Sequence, residues 1–306
     1  MSFPVAAGVT NIGSTTMRYV PVIYSAKILQ TYYSKTVLSA VTNTNYEGEI
    51  KKYGDMIYIR TDPTLTIRDY RKGQTLVNEQ PESTAVTMTI DQGKYWSFVA
   101  EDLDKKETDI KSFTDRWAAD AAKQLAISID TAVLAAMPSG ASEYNCGSAA
   151  GYKTAAINLG TTGTPLALTK ANVLEALVDC GTVLDELNVP EEGRYMVMPP
   201  RMAGLIMKSD LKNASITGDS KSPLRTGYLG SIAGFTLYYS NLLPVSSTNR
   251  YVLFGNQYAT AFATQLSELK VVDNPFGFGT LHRGLQIYGY KVVKAEGLGY
   301  MVVSIS

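Results

Sequence analysis

Two β-rich segments, Met56–Arg60 and Thr84–Ile90, stand apart on either side of a long polar connection, and no other feature constrains the fold as much. The second, Thr84-Ala85-Val86-Thr87-Met88-Thr89-Ile90, alternates apolar and polar side chains, the period of a half-buried strand. Between them lie Thr64–Ile67, a charged turn at Arg68-Asp69-Tyr70-Arg71-Lys72-Gly73, and Asn78-Glu79-Gln80-Pro81-Glu82. This pattern predicts an extended two-stranded hairpin over 48–93 with a polar tip. An isolated hairpin is marginal in water. The sequence on either side offers it no obvious surface, so the expected support is a second subunit.

The longest helix is expected over Ser112–Met137. Ile110, Phe113, Trp117, Ala121, Leu125, Ile129 and Val133 recur every three or four positions, a one-sided stripe, and Pro138-Ser139-Gly140 stops it. About 26 residues at ~1.5 Å each give a strut of roughly 40 Å. Ile23–Val41 also reads as a helix, carrying Ile28, Leu29, Tyr32, Tyr33, Val37 and Val41, after Pro21. Ala141–Pro165, rich in Gly, Ser, Ala and Thr, reads as loop.

Thr169 is expected to cap a helix running through Leu187, with Val173, Leu174, Leu177, Val178 and Leu184 on its apolar side. Tyr195–Met198 is expected as a short buried strand, and Pro199-Pro200 as the opening of a helix through Lys208. Asp210–Arg225 reads as a polar loop. Strands are expected at Phe235–Tyr239, Tyr251–Phe254, Leu269–Val272, Leu285–Val293 and Leu298–Ile305. The fold class is α+β.

A chain of 306 residues with 45% apolar and 18% charged side chains can bury a sizeable core. Lysine and arginine balance aspartate and glutamate, 28 against 28. Tight nucleic-acid binders carry a basic excess, so any DNA this protein meets is faced as by a wall, not gripped. Cys146 and Cys180 make no disulfide framework, which suits a reducing compartment such as a bacterial cytoplasm. Met1–Val20 lacks the pattern of a secretory signal, and no run approaches the ~20 apolar residues of a membrane span.

Catalytic chemistry finds little to stand on. His282 is the single histidine, which removes HExxH and two-histidine metal sites; it is expected at a turn or sheet edge. No Walker A sequence and no G-x-S-x-G elbow occurs. Phe276-Gly277-Phe278-Gly279 lacks a third glycine at dinucleotide spacing and precedes a strand, so it reads as a glycine-aromatic turn. Glu101, Asp102 and Asp104 read as the acidic start of a helix, with a divalent-cation cluster as the alternative. Catalytic, cofactor and metal residues are therefore none.

Tyrosine is abundant, 20 residues, and suits interfaces because it pairs a large ring with a polar handle. Tyr32, Tyr33, Tyr46, Tyr53, Tyr58 and Tyr70 fall in the arm and hairpin, which lack a core of their own. The mixed-sign tip suits docking against protein better than nucleic acid. Expected inter-subunit contacts are Arg68, Asp69, Tyr70, Arg71, Lys72, Glu79 and Glu82 of the hairpin, Tyr32 and Tyr33 of the arm, and Trp117 of the long helix.

The order of these elements resembles the major capsid protein of tailed double-stranded DNA bacteriophages, a fold shared with encapsulins and the herpesvirus capsid floor. Three stretches carry the resemblance: Trp96-Ser97-Phe98-Val99-Ala100-Glu101-Asp102 leading to Trp117, the strand-proline-helix step Tyr195-Met196-Val197-Met198-Pro199-Pro200-Arg201-Met202, and Arg283-Gly284-Leu285-Gln286-Ile287 to Met301-Val302-Val303. It covers nearly the whole chain. It implies an N-terminal arm and helix (1–47), the extended hairpin loop (48–93), a peripheral domain with a spine helix (94–165 with 270–295), and an axial α/β domain (166–269 with 296–306).

The resemblance also implies a non-enzymatic, cofactor-free subunit that self-assembles into hexamers and pentamers of an icosahedral virion shell in the host bacterial cytoplasm. Scaffolding, portal and decoration proteins would be partners, and packaged double-stranded DNA would be contacted weakly and without sequence specificity. The stretch before Ile23 is short, so a separate scaffold is expected. Some family members cross-link a loop lysine to an asparagine of another subunit. Lys72 and Asn274 sit at matching places, but no assisting glutamate can be assigned. The alternatives are an encapsulin-type nanocompartment shell, a phage tail or head-completion protein, and an enzyme with a dispersed site.

Overall fold

In a computed structural model, residues 33–45, 56–61, 63, 65–80, 85–101, 113–209, 230–246 and 249–305 are described. The expected hairpin strands form: β1 (Met56–Arg60) pairs antiparallel with β2 (Ala85–Thr89), Met56 opposite Thr89 and Arg60 opposite Ala85. The chain then enters β3 (Gln92–Glu101) directly. Sequence reading took this stretch as a passage into a helix. It is instead an outer strand of a three-stranded antiparallel sheet, with β11 (Gly279–Val292) at the centre and β10 (Thr260–Asp273) on the far side. Glu101 accordingly ends a strand, opposite Gly279. Asp102 and Asp104 lie outside the described residues. His282 is corrected too: it sits mid-sheet, between Phe98 and Val271, not at an edge or turn.

A seven-stranded mixed sheet forms the second body. Its order is β4 (Leu166–Leu168), β12 (Leu298–Ile305), β9 (Asn249–Asn256), β5 (Arg194–Met198), β7 (Phe235–Tyr239) and β6 (Ser231–Ile232), with β8 (Val245–Ser246) beside the start of β9. β5 is buried along its whole length because both sheet faces are covered. Met196 and Met198 point to one side, with Val252, Phe254, Met301 and Val303, against α3 (Val173–Glu186) and α4 (Pro200–Lys208). Tyr195, Val197 and Leu253 point to the other, against Leu125, Ile129, Val133 and Leu134 of α2 (Phe113–Ala136). The period-2 alternation of the strands thus sorts side chains into two cores, each large apolar side chain contributing about 1.5–3 kcal/mol. The C-terminal half of α2 is the element that ties the long helix to this sheet.

Two helix expectations change. Of Ile23–Val41, Ile23–Tyr32 lies outside the described residues, and residues 33–37 are not helical; only α1 (Leu38–Val41) is. The reason lies on α2, where the Asp130 carboxylate takes the N–H groups of Val37 and Leu38. In a continuous helix the preceding turn would take them. The helix after Thr169 starts at Val173: Asn172 is its N-cap, the Asn172 Oδ1 accepts from the Thr169 N–H at 2.7 Å, and Val178 faces solvent. Asp210–Arg225 lies outside the described residues.

Arg194 fastens the turn between α3 and β5. Its guanidinium is buried and donates to Asp185 (2.6 Å), to the Val189 carbonyl (2.5 Å) and to the Pro190 carbonyl (3.0 Å). Asn256, its cross-strand partner, donates to the Pro190 and Glu192 carbonyls of the same turn. A buried charge is tolerated when each donor finds a partner.

Candidate inter-subunit surface

The hairpin does have a footing on its own chain, which corrects the expectation that none exists. Ile57 and Ile59 of β1, with Met88 and Ile90 of the second strand, are buried against Ala261, Ala263 and Ile287 of the three-stranded sheet. The small side chains of β10 let the hairpin backbone come close. Gly289 matters most: a Cβ there would lie 2.5 Å from the Thr89 carbonyl oxygen and 3.1 Å from the Ile90 Cα. The root of the hairpin therefore crosses β11 at van der Waals contact, where only glycine fits.

Beyond the root, nothing among the described residues covers residues 65–80. Residues 65–80 are exposed throughout, including Leu65, Ile67, Tyr70, Leu76 and Val77, with Ile67 at 92%. The two arms of the tip are joined by side chains. Glu79 accepts from the Arg68 guanidinium and, at 3.2 Å, from the Thr66 N–H. The Thr66 N–H, aided by the Arg68 charge, holds the Glu79 carboxyl below the usual range. At the turn, the Arg71 N–H donates to the Gln74 side chain and the Gln74 N–H to the Arg71 carbonyl, with Gly73 at φ +84.

The three-stranded sheet offers a second surface. On the side facing α2, Phe98 stacks on His282 (ring centroids 5.0 Å) and on Trp96 (5.5 Å) and meets Trp117 edge-on (5.7 Å). Trp96 lies flat on Gly284, where an added Cβ would come within 2.5 Å of the indole. On the opposite side Tyr95, Val99, Val272 and Leu285 face solvent, and the β10–β11 turn ends in Phe276 and Phe278, 97% and 92% exposed. Lys270 pairs with Glu268 along the outer strand β10 (2.7 Å).

Arg68, Asp69, Tyr70, Arg71, Lys72 and Glu79 all lie on the exposed tip. Glu82 and Tyr32 are outside the described residues. Tyr33 is engaged within the chain: its hydroxyl donates to Asp120 and its ring lies under Lys123 Nζ at 4.7 Å. Trp117 is about half exposed at the edge of the aromatic stack. Sequence reading chose the charges of the tip and passed over its apolar residues, although Leu65, Ile67, Leu76 and Val77 stood in the same polar context. It also passed over Tyr95, Phe276 and Phe278, whose exposure depends on which strands are edges.

Among the described residues no group of histidine, cysteine or acidic side chains is placed to hold a metal, and no helix is long and apolar enough to cross a membrane. A cavity of about 680 Å³ is bounded in part by Arg201, Ser240, Asn241 and Arg250, and among the described residues none lining it is a histidine, cysteine or carboxylate.

A family model described as phage capsid protein matches residues 83–297. A comparison with curated protein sequences found no match. Among solved structures, one from Mycobacterium phage Che8 is 23% identical with a TM-score of 0.72, over 92% of this chain and 96% of that one. The capsid structure of cyanophage P-SCSP1u is 15% identical with a TM-score of 0.68, over 99% and 97%. The asymmetric unit of the bacteriophage PhiM1 mature capsid is 14% identical with a TM-score of 0.62, over 100% and 99%. The expected capsid fold is thus present end to end, and the family match favours a phage head over a nanocompartment. The protein is a structural component of the phage virion. With most of its length matched, the chain belongs to the phage capsid protein family.

Proposed function

We propose that the subunit closes a shell of hexamers and pentamers by laying its hairpin tip, residues 65–80, across the exposed sheet face of a neighbouring copy. The observation that carries this reading is a contrast within one hairpin. Its root is buried in its own chain, whereas Leu65, Ile67, Tyr70, Leu76 and Val77 at its tip are bare. Tyr95, Val99, Leu285 and the Phe276–Phe278 turn give a neighbour an apolar receiving surface. Arg68, Asp69, Arg71 and Lys72 would set register by charge more than add affinity. Many such modest contacts, repeated by closed symmetry, hold a shell that no single one would.

In this reading 94–165 with 270–295 acts as the peripheral domain and 166–269 with 296–306 as the axial domain. The formal net charge of zero lets the inner wall face double-stranded DNA with weak, sequence-independent contact. Scaffolding, portal and decoration proteins are the further partners such a head would use. The function is geometric, not catalytic.

Deleting Arg68–Glu82 tests the proposal. The variant should fold and unfold as the parent does and form no closed particles by electron microscopy. Normal particles from it would refute the hairpin's role.

A further inference from the structure

The stretch from Tyr33 to Asn45 behaves as a strap. Tyr33 meets Asp120 and Lys123 near one end of the described part of α2, and Val37 and Leu38 meet Asp130 further along it. Asp120 and Asp130 are roughly 15 Å apart along a helix rising ~1.5 Å per residue. A non-helical chain from Tyr33 to Val37, at up to ~3.3 Å per residue plus the tyrosine side chain, is long enough to cover that distance. The strap therefore runs parallel to α2, in the same chain direction.

It also reaches both sheets. Ser240 Oγ donates to the Lys35 carbonyl (3.3 Å), and Lys35 Nζ lies 5.0 Å from the Tyr239 ring centroid. Asn43 donates to the Thr260 carbonyl (2.9 Å) and accepts from the Phe262 N–H (3.0 Å). Val37, Leu38 and Val41 are buried between these bodies.

At the middle of the strap, one oxygen does the holding: Asp130 Oδ2 accepts from Val37 N–H at 2.7 Å and from Leu38 N–H at 3.2 Å. We propose that Asp130 is the positioning residue of the N-terminal arm, acting as a hydrogen-bond acceptor, not as a charge. By pinning the strap to α2 it fixes the path of residues 33–45 over the subunit, with Tyr33 beside Asp120. The consequence for assembly rests on the shell reading above; the pinning itself does not.

Asp130→Asn and Asp130→Ala separate the two. An asparagine carbonyl oxygen can take the place of Oδ2 and accept both bonds; alanine removes them. On unassembled subunit, hydrogen exchange at the Val37 and Leu38 amides should match the parent in Asp130→Asn and quicken at least tenfold in Asp130→Ala. Met196 and Val197, in the core strand, should keep their protection in both. Unchanged protection in Asp130→Ala, or equal loss in both variants, overturns the pinning. Where the pinning holds, Asp130→Ala should yield few or aberrant particles and Asp130→Asn normal ones. Normal particles from Asp130→Ala would overturn the assembly consequence and leave the pinning intact.

Discussion

Asp130, in the C-terminal half of α2, accepts the backbone N–H of Val37 at 2.7 Å, joining residues 93 positions apart. Burial raises the Asp130 carboxyl above the usual carboxylate range, and the Val37 and Leu38 N–H groups only partly offset this. The native state therefore holds the proton more tightly than the unfolded chain. The associated stability is fully present below the ordinary carboxylate pKa of about 3.9 and is lost as pH rises through the elevated native value. Asp130→Asn carries no charge to desolvate. Its stability relative to the parent should grow as pH rises from about 4 through the elevated native value and level off above it. Urea unfolding of both proteins across that range measures it; a difference that stays flat or shrinks with rising pH contradicts the sign.

Gly289 lies under the Thr89 carbonyl at a distance no Cβ tolerates. Gly289→Ala must lift the hairpin root from β11, parting Ile57, Ile59, Met88 and Ile90 from Ala261, Ala263 and Ile287. Overpacking of this kind costs roughly 1–3 kcal/mol. The loss should appear in urea unfolding and as faster amide exchange over Thr87–Ile90, with Met196 and Val197 unaffected.

The apolar tip gives a different signature. Ile67 and Val77 are exposed, so Ile67→Asp with Val77→Asp should leave subunit stability within about 0.5 kcal/mol. The same pair should abolish or sharply reduce particles in electron microscopy, because a carboxylate buried against a neighbour's apolar sheet has no partner. Normal shells would move the contact elsewhere on the hairpin.

Much of this was legible from local pattern. The alternation in 84–90, the helical stripe ending at Pro138, and the strand-to-helix step at Met198–Pro199 each carry their structure in a short window. What stayed hidden depends on residues far apart. Residues 33–37 carry apolar side chains at helical spacing, but Asp130 takes the N–H groups on which a helix would rely. The footing of the hairpin was invisible because it is built from small residues, Ala261, Ala263 and Gly289, that read as nothing in particular until β10 and β11 lie beneath it. β3 was missed because its polar neighbours suggested a passage, and its strand character depends on pairing with β11. Likewise the tip charges were read correctly as exposed, while the bareness of Ile67 and Leu76 becomes plain only once the root is seen to be covered and the tip is not.

Tyr195 supplies the last test. It sits in β5 with its ring in the core beneath α2, yet among the described residues its hydroxyl has no hydrogen-bond partner. Burial without a partner raises its pKa, since nothing there stabilises the phenolate. A buried hydroxyl without a bond costs about 1–3 kcal/mol by protein mutational data, and removing it leaves the ring and its packing in place. Tyr195→Phe should therefore stabilise the subunit by about 1 kcal/mol at every pH from 5 to 9, raising the urea midpoint without changing the slope. A lower midpoint would mean that the hydroxyl does hold a partner, a buried water between α2 and the central sheet.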